Sequence, residues 1–443
     1  MTFDSTLGAT STAPPSPPSS TRTGSTGGGT VGASAAGAGA AADPPPAPLP
    51  NVTARRAASA YVHFPWCLAK CPYCDFVSYV APAIDHAGYA DAVLRELDAR
   101  APAFMEGHVE RRLESVFFGG GTPSLWEPAE LGRVLDGLRA RFGARSTAEV
   151  TVECNPTSLD VERARRLRDA GVNRLSIGVQ SLRDDRLRYL GRLHDAAGAR
   201  SAVEGAIASG IPRVSADLIF GLPGQSASDA RDEAIELVNL GVAHLSCYQL
   251  TIEPGTRFGE LARRGRLPLA EDGEVADAFL AIDEALGGLG FRHYEISNYA
   301  RPGEEARHNL GYWRGDEYLG LGCGAYGFVR SASATAPAAG LRWRNEVQPD
   351  RYVASGAQSP GATVESLDAE TLLRERIMLG LRVEEGIDLD AIARDLGVDP
   401  WSTDRQRAVA WLERRGRIAR SGPRLRVPRA AWLWTDDTAA RLF

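Results

Sequence analysis

The sequence predicts an α/β fold, namely a partial (β/α)6 barrel of the TIM type followed by a winged-helix-like α+β domain. Between residues 61 and 250, short β-type runs alternate with segments whose apolar residues recur at helical spacing. This alternation is typical of a parallel sheet covered by helices. Beyond residue 362, three helical segments precede two short strands around a turn, which predicts the second domain.

Strands of the barrel are expected at residues 61–64, 115–118, 149–154, 174–181, 214–220 and 244–250. The intervening helices are expected at residues 85–99, 131–142, 159–170, 195–209 and 228–240. The second domain is expected to hold helices over 368–381, 388–396 and 404–415 and then a hairpin. Six strands fit an incomplete barrel better than an eight-stranded one, and chemistry in such barrels lies at the C-terminal ends of the strands.

Four segments are expected along the chain. Residues 1–55 are rich in Gly, Ala, Ser and Pro and predict a disordered tail. Residues 56–330 form the barrel with an extension, 331–361 a linker, and 362–443 the C-terminal domain.

Composition restricts the classes of function. The chain has 443 residues, 44% of them hydrophobic and 24% charged, as is usual for soluble proteins. Its net charge of −6 argues against a general nucleic-acid binder. The six cysteines do not resemble a secreted disulfide framework, so we expect a reducing cytoplasm. No run approaches the roughly 20 apolar residues of a membrane span, and the N-terminus does not resemble a signal peptide.

Three cysteines, Cys67, Cys71 and Cys74, stand at the spacing C-x3-C-x2-C directly after the first strand. Zinc sites usually show paired cysteines and four ligands. Three clustered thiolates instead suit an iron–sulfur cluster in which one iron keeps an open position. This spacing is the signature of the radical S-adenosylmethionine (SAM) superfamily, which implies a [4Fe–4S] cluster whose open iron is chelated by SAM. The alternatives are a zinc knuckle or three unrelated buried thiols.

Further candidates follow the next strands in turn. A glycine run lets a ligand approach the backbone closely. A carboxylate can pair with the ammonium of SAM, acidic and amide groups can bind ribose hydroxyls, and a guanidinium suits the SAM carboxylate. The residues in these positions are Gly120, Gly121, Thr122, Glu153, Gln180, Arg192 and Asp217.

The blocks YVHFPWC, GGGTPS, NRLSIGVQS, DLIFGLPGQ and HNLGYW give the chain a specific resemblance. It resembles the radical SAM family of oxygen-independent coproporphyrinogen III oxidases and their relatives, the HemW-type heme chaperones. The resemblance covers roughly residues 58–440. It implies the same partial barrel with a C-terminal helical domain, and it adds Tyr61 to the SAM contacts.

One position separates the two branches of this family. The oxidases carry a further cysteine two residues after the third cluster ligand, where this chain has Phe76. The block His308–Trp313, HNLGYW, matches the chaperone branch. The resemblance therefore implies a heme chaperone that binds heme and a SAM-ligated [4Fe–4S] cluster and passes heme to acceptor hemoproteins, with membrane respiratory enzymes as the expected acceptors. The alternative is oxidative decarboxylation of coproporphyrinogen III.

His308 is the candidate heme residue, because imidazole is a common axial ligand of heme iron and aromatic rings pack on macrocycles. The alternative is a structural histidine that is hydrogen-bonded in a loop. A radical SAM enzyme acting on nucleic acid is suggested only by the arginine-rich C-terminal end, and the net charge argues against it. We therefore expect no nucleic-acid partner. A homodimer and a peripheral attachment to the membrane stay open.

Overall fold

The computed structural model of the protein describes residues 58–105, 111–331, 339–355, 358 and 361–443. Its strands are β1 Ala58–Phe64, β2 Trp66–Cys67, β3 Tyr79–Val80, β4 Leu113–Gly120, β5 Ala144–Cys154, β6 Arg174–Gln180, β7 Arg213–Phe220, β8 His244–Gln249, β9 Arg292–Glu295, β10 Asn298–Ala300, β11 Glu317–Leu321, β12 Tyr326–Arg330, β13 Gly340–Arg344, β14 Thr363–Leu367, β15 Ile387–Asp388, β16 Ala419–Ser421 and β17 Arg424–Arg426.

The α-helices are α1 His86–Met105, α2 Pro128–Phe142, α3 Val161–Asp169, α4 Asp184–Tyr189, α5 Ala196–Ala208, α6 Ala227–Asn239, α7 Arg257–Arg263, α8 Asp272–Gly288, α9 Arg307–Arg314, α10 Pro349–Ser355, α11 Ala369–Gly380, α12 Leu389–Leu396, α13 Thr403–Arg414 and α14 Thr435–Ala440. In the described residues, no helix is both long and apolar enough to cross a membrane.

A twelve-stranded sheet in the order β14-β13-β12-β11-β1-β4-β5-β6-β7-β8-β10-β9 forms the centre of the fold. The strands from β11 to β8 in this order pair in parallel, and those outside them pair antiparallel. The order does not return to its first strand within the described residues. The sheet is therefore open, which confirms the expected partial barrel; the six expected strands are β1 and β4 to β8, and β11 joins them in parallel beside β1.

The parallel strands are buried almost throughout because both faces of the sheet are covered. In β4, Val116 and Phe118 belong to the core shared with the helices. Phe117, between them, points to the other face and packs with Tyr61 of β1. This alternation places Tyr61 and Phe117 inside the curve of the sheet.

Side-chain caps set where several helices begin. The Asp160 side chain accepts a hydrogen bond from the Arg163 N–H at the start of α3, and Asp195 does the same for Gly198 in α5. Ser226 and Asp229 form a reciprocal capping box at the start of α6. Each helix therefore begins a few residues after a strand ends, as the alternating pattern requires.

Two of the expected segments lie outside the barrel. The expected linker contains β13 and α10, and β13 pairs along its whole length with β12 and β14, so this segment extends the sheet. The expected tail of residues 1–55 lies outside the described residues. The C-terminal module has helices α11 to α13 and a small sheet in the order β15-β17-β16, with a core of its own.

Candidate cluster and SAM site

A cavity of about 640 Å³ lies at the C-terminal ends of the parallel strands. The loop after β1 and the ends of β4 to β8 surround it, and Trp432 and Leu433 of the C-terminal domain line one side. Ten of the twelve site residues expected from the sequence line this cavity, namely Cys67, Cys71, Cys74, Gly120, Gly121, Thr122, Glu153, Gln180, Arg192 and Asp217. The remaining two, Tyr61 and His308, do not.

The cysteine loop is fastened to the end of β4 by backbone contacts. The Gly121 N–H donates to the Phe64 carbonyl at 2.8 Å, and the Thr122 N–H donates to the Trp66 carbonyl at 2.8 Å. A Cβ atom at Gly121 would lie 2.7 Å from the Trp66 carbonyl oxygen. Only glycine therefore allows β4 to approach the loop this closely.

The three thiols line the cavity, and two of them are in surroundings that disfavour the thiolate form. Burial raises the pKa of Cys67, and it raises the pKa of Cys74 to about 11. The Thr122 hydroxyl donates to the Cys67 sulfur at 3.4 Å, and an Arg192 Nη1–H donates to the Cys71 sulfur at 3.4 Å. The hydrogen bond from Thr122 lowers the pKa of Cys67 and so favours the thiolate form that iron requires.

Gln180 combines backbone strain with an unsatisfied polar atom. Its φ of 66° is the only positive φ of a non-glycine residue in the described part of the chain. Its Oε1 atom is buried and accepts no hydrogen bond from a described residue. Strain and a buried acceptor without a donor, found together at a cavity, are features of ligand-binding positions.

Arg192 is held beside the cluster loop. Its Nη2–H donates to the Gly178 carbonyl at 2.9 Å. Its Nε–H is buried and has no acceptor among the described residues. A buried guanidinium with a free N–H suits the carboxylate of a ligand.

Two carboxyl groups line the same cavity without an ion-pair partner among the described side chains. Glu153 Oε2 accepts the Gly120 N–H at 3.0 Å, and Asp217 accepts the Ser176 hydroxyl at 3.1 and 3.3 Å. Burial raises the pKa of Glu153, and it raises the pKa of Asp217 to about 6. A cationic ligand group would favour the ionised form of both carboxyls.

Tyr61 lies behind the cavity. Its hydroxyl is 2.9 Å from His63 Nδ1, and His63 Nε2 is 2.7 Å from the Val77 carbonyl oxygen. Because that carbonyl can only accept, Nε2 carries the proton and Nδ1 accepts from the Tyr61 hydroxyl. Tyr61 thus supports the cysteine loop through His63, and its direct contact with SAM stays a prediction.

His308 lies inside the curve of the sheet, 1% exposed. Its Nδ1 is 2.8 Å from the Ser115 hydroxyl, its Nε2 is 2.9 Å from the Tyr312 hydroxyl, and its ring stacks on Phe117 at 5.0 Å. Burial lowers its pKa to about 3. Both ring nitrogens are therefore engaged, so heme ligation by His308 stays a prediction and requires the ring to leave one of these partners.

The sequence did not indicate all the cavity residues. Tyr73, between two cluster cysteines, could have been found from its position in the loop. Aromatic and apolar residues of later segments could not, because their position depends on how the C-terminal domain packs. The residues missed include Tyr73, Ser176, Tyr248, Phe279, Ile296, Arg382, Trp432 and Leu433.

Comparisons with known proteins identify the family. Residues 61–237 match the Radical SAM superfamily and residues 367–434 match the HemN C-terminal domain. The protein named heme chaperone HemW of Escherichia coli is 42% identical over 61% of this chain and 70% of its own length. This chain belongs to the HemW family. The HemW protein of Mycobacterium tuberculosis is 36% identical over 83% of this chain and 89% of its own length.

A solved structure shows the same fold. The radical SAM enzyme coproporphyrinogen III oxidase (HemN) from Escherichia coli aligns with a TM-score of 0.71 over 88% of this chain and 91% of its own. The two sequences are 22% identical, so the likeness between that oxidase and this member of the HemW family concerns the fold alone.

A [4Fe–4S] cluster and SAM, the cofactors of the radical SAM superfamily, fit the residues at the cavity. Within the described ranges, no three His, Cys, Asp or Glu residues converge on one metal ion. A cluster does not need such convergence, because each cysteine binds a different iron. The cavity also holds a buried acceptor, Gln180 Oε1, and a buried donor, the Arg192 Nε–H, that have no partner among the described residues; their contact with SAM stays a prediction.

Gly121→Ala should prevent cluster assembly, because the new methyl group collides with the Trp66 carbonyl and displaces the cysteine loop. We expect the iron content after anaerobic reconstitution to fall several-fold. Gly273→Ala is the matched control, since no atom lies within 4 Å of a Cβ at Gly273. A Gly121→Ala protein with the iron content of the wild type would contradict the role of this contact.

Gln180→Gly and Gln180→Ala separate the strain from the side chain. Both should weaken SAM binding about tenfold or more, because a polar partner of the ligand is lost. The glycine variant should be about 1 kcal/mol more stable than the alanine variant, because only glycine adopts this φ without strain. SAM affinity is measured on the reconstituted protein and stability by denaturation. Wild-type affinity in the alanine variant would exclude Gln180 from the SAM site.

His308→Gln should change how stability depends on pH. The pKa of His308 is about 3 in the folded protein and about 6.5 in an unfolded chain. The unfolded chain therefore takes up the proton first, and the wild type loses stability as pH falls from about 6.5 towards 3. As the pH falls from 7.5 to 5, the free energy of unfolding of the variant should rise by about 2 kcal/mol relative to that of the wild type. Urea denaturation at both pH values measures this difference.

The control for this measurement is His86→Gln, because His86 is less buried than His308. An identical pH dependence for wild type and His308→Gln would show that His308 has the same pKa in the folded protein as in the unfolded chain, and so is not buried away from water.

Proposed function

We propose that this protein is a heme chaperone that binds heme and a SAM-ligated [4Fe–4S] cluster and transfers heme to acceptor hemoproteins. The observation that carries the proposal is the relationship to proteins named heme chaperone HemW at 42% and 36% identity. The second of these relatives is aligned over 89% of its length, so both the barrel and the C-terminal domain are included.

The cavity residues have distinct roles in this proposal. Cys67, Cys71 and Cys74 hold the cluster, which supplies an iron with an open position and a source of single electrons. Arg192 binds the SAM carboxylate and Glu153 its ammonium group. Gln180 and Asp217 orient the ribose through hydrogen bonds. Trp432 and Leu433 exclude water from one side of the site.

Phe76 argues against the alternative function, oxidation of coproporphyrinogen III. Phe76 lines the cavity, and its carbonyl accepts hydrogen bonds from Lys70 Nζ at 3.2 Å and the Ser78 hydroxyl at 3.3 Å. The position that carries a fourth cysteine in the oxidases therefore offers no thiol. The fold shared with the oxidase does not distinguish the two functions, because similar folds host different chemistries.

Membrane respiratory enzymes remain the acceptors that we propose, and attachment to the membrane surface would be peripheral. A cytoplasmic location and a homodimer likewise stay predictions. These predictions concern the partners and the cellular location of the protein, so they do not change the roles of the cavity residues.

The test is one reconstituted sample divided between two assays. In the first, hemin is titrated, and we expect a stoichiometric shift of the Soret band followed by transfer to an apo-hemoprotein. In the second, coproporphyrinogen III, SAM and a reductant are added, and we expect no protoporphyrinogen. Turnover with release of 5′-deoxyadenosine would show that the protein is an oxidase despite Phe76.

Two variants sharpen this test. Cys71→Ser should remove the visible absorption of the cluster, and unchanged iron content would contradict the cluster assignment. His308→Gln tests heme ligation, because loss of the axial imidazole should change the Soret band of bound heme. An unchanged spectrum would assign His308 to the structural role that its two hydrogen bonds indicate.

A further inference from the structure

The C-terminal domain carries an arginine–tryptophan patch, which we define as Trp411, Arg415, Arg417, Trp434, Asp437 and Arg441. Two guanidinium groups lie over the ring of Trp411, Arg415 at 3.9 Å and Arg441 at 4.8 Å from its centroid. Cation–π contacts of this kind hold arginine side chains in place on an aromatic surface.

One carboxylate joins the two halves of the patch. Arg441 donates to Asp437 through Nε at 2.9 Å and Nη2 at 3.1 Å, and Arg417 also donates to Asp437. Arg417 in turn lies over the ring of Trp434, 5.1 Å from its centroid. The patch is therefore continuous from α13 to α14, and its arginines are already ordered.

The region around the patch has the opposite charge to the rest of the chain. Residues 401–443 contain ten arginines and four carboxylates, which gives +6. Since the whole chain has a net charge of −6, the other 400 residues carry −12. A concentrated charge of this kind attracts a partner of opposite sign and steers its approach.

The surface also exposes large apolar groups. Trp434 is 47% exposed, and Leu433 and Phe443 are each 43% exposed. Tryptophan and arginine are the side chains that contribute most often to the energy of protein interfaces. Because the arginines here are ordered before binding, a partner would lose less of the free energy of association to side-chain entropy.

The patch is continuous with the mouth of the cavity. Trp432, Leu433, Thr435 and Asp436 line the cavity, and Trp434 of the patch lies between them in the chain. A protein seated on the patch would therefore lie beside the opening through which a ligand enters or leaves.

We propose that the arginine–tryptophan patch docks an acidic protein surface, that of the hemoprotein which receives the heme. This inference rests on the proposed function and adds the surface at which transfer occurs. Guanidinium groups recognise carboxylates through paired N–H groups. Arg417 and Arg441 donate to Asp437, whereas Arg415 lies over Trp411 and is the arginine of the patch that can offer its paired N–H groups to a partner. A folded surface of ordered arginines favours a protein over an anionic membrane, which is bound mainly through amphipathic helices and flexible basic segments.

The test compares two charge reversals of equal size. Arg415→Glu changes the patch, whereas Arg407→Glu changes an exposed arginine of the same domain outside it. The heme-loaded protein is mixed with apo-cytochrome b5, whose heme-side surface is acidic. We expect Arg415→Glu to slow heme transfer about tenfold at low ionic strength, with a smaller effect at high ionic strength. Arg407→Glu should change the rate less than twofold, and both variants should bind hemin like the wild type.

The proposal would be overturned if both variants transferred heme at the wild-type rate, or if both were slowed equally. It would also be overturned if Arg415→Glu lost binding to phosphatidylglycerol vesicles while its heme transfer was unchanged. The last outcome would assign the patch to a membrane.

A direct binding measurement tests the patch independently of the proposed function. Binding of the protein to intact cytochrome b5 is measured by calorimetry at low ionic strength, which requires no heme transfer. Binding that is weakened in Arg415→Glu and retained in Arg407→Glu supports the patch even if the protein binds no heme. If the protein binds and transfers hemin, and Arg415→Glu does not change the transfer, the result would support the chaperone function and exclude the patch as the docking surface.

Discussion

The close approach of β4 to the loop after β1 determines the geometry of the whole site. The N–H groups of Gly121 and Thr122 bond to carbonyls of residues 64 and 66, so the backbone before the first cysteine has one fixed position. Thr122 also reaches the Cys67 sulfur. The same two residues thus place the loop and contact a cluster ligand, and a change of less than an ångström between β4 and the loop would move all three thiols.

The sheet supplies the rigidity that allows unfavourable features to persist beside this contact. Gln180 has a strained backbone, the carboxyls of Glu153 and Asp217 are buried, and the Arg192 guanidinium has a free N–H. Each of these costs free energy in the empty protein. A ligand with one carboxylate, one ammonium group and two ribose hydroxyls, as SAM has, would supply partners for the buried polar groups among them.

Sequence patterns predicted the parts that depend on local periodicity or on strand ends. Alternating apolar runs indicated the six parallel strands, and parallel strands bring their C-terminal ends to one edge, so the order of the chain alone groups Gly120, Glu153 and Gln180. His308 could not be placed, because nothing local indicates that α9 enters the curve of the sheet. The same reason applies to Trp432 and Leu433, whose role depends on how two domains pack. β13 was missed because its five residues, GLRWR, have no apolar run and resemble a charged loop.

The way the C-terminal domain is held over the cavity has a consequence for ligand exchange. Arg429 of the C-terminal domain pairs with Asp283 of α8, and Glu384 of the same domain pairs with Arg292 of β9. These groups are partly exposed, and ion pairs in such positions contribute about 0–1 kcal/mol each. A buried contact between the two domains is the edge contact of Trp432 with His293, whose ring also stacks on Tyr299. Because the charged contacts are weak, a charged partner can compete for Arg429 or Glu384 without breaking the core of either domain. The C-terminal domain stays attached during such an exchange, because the Glu384 N–H donates to the Tyr294 carbonyl at 3.0 Å and the Ile296 N–H donates to the Arg382 carbonyl at 3.0 Å.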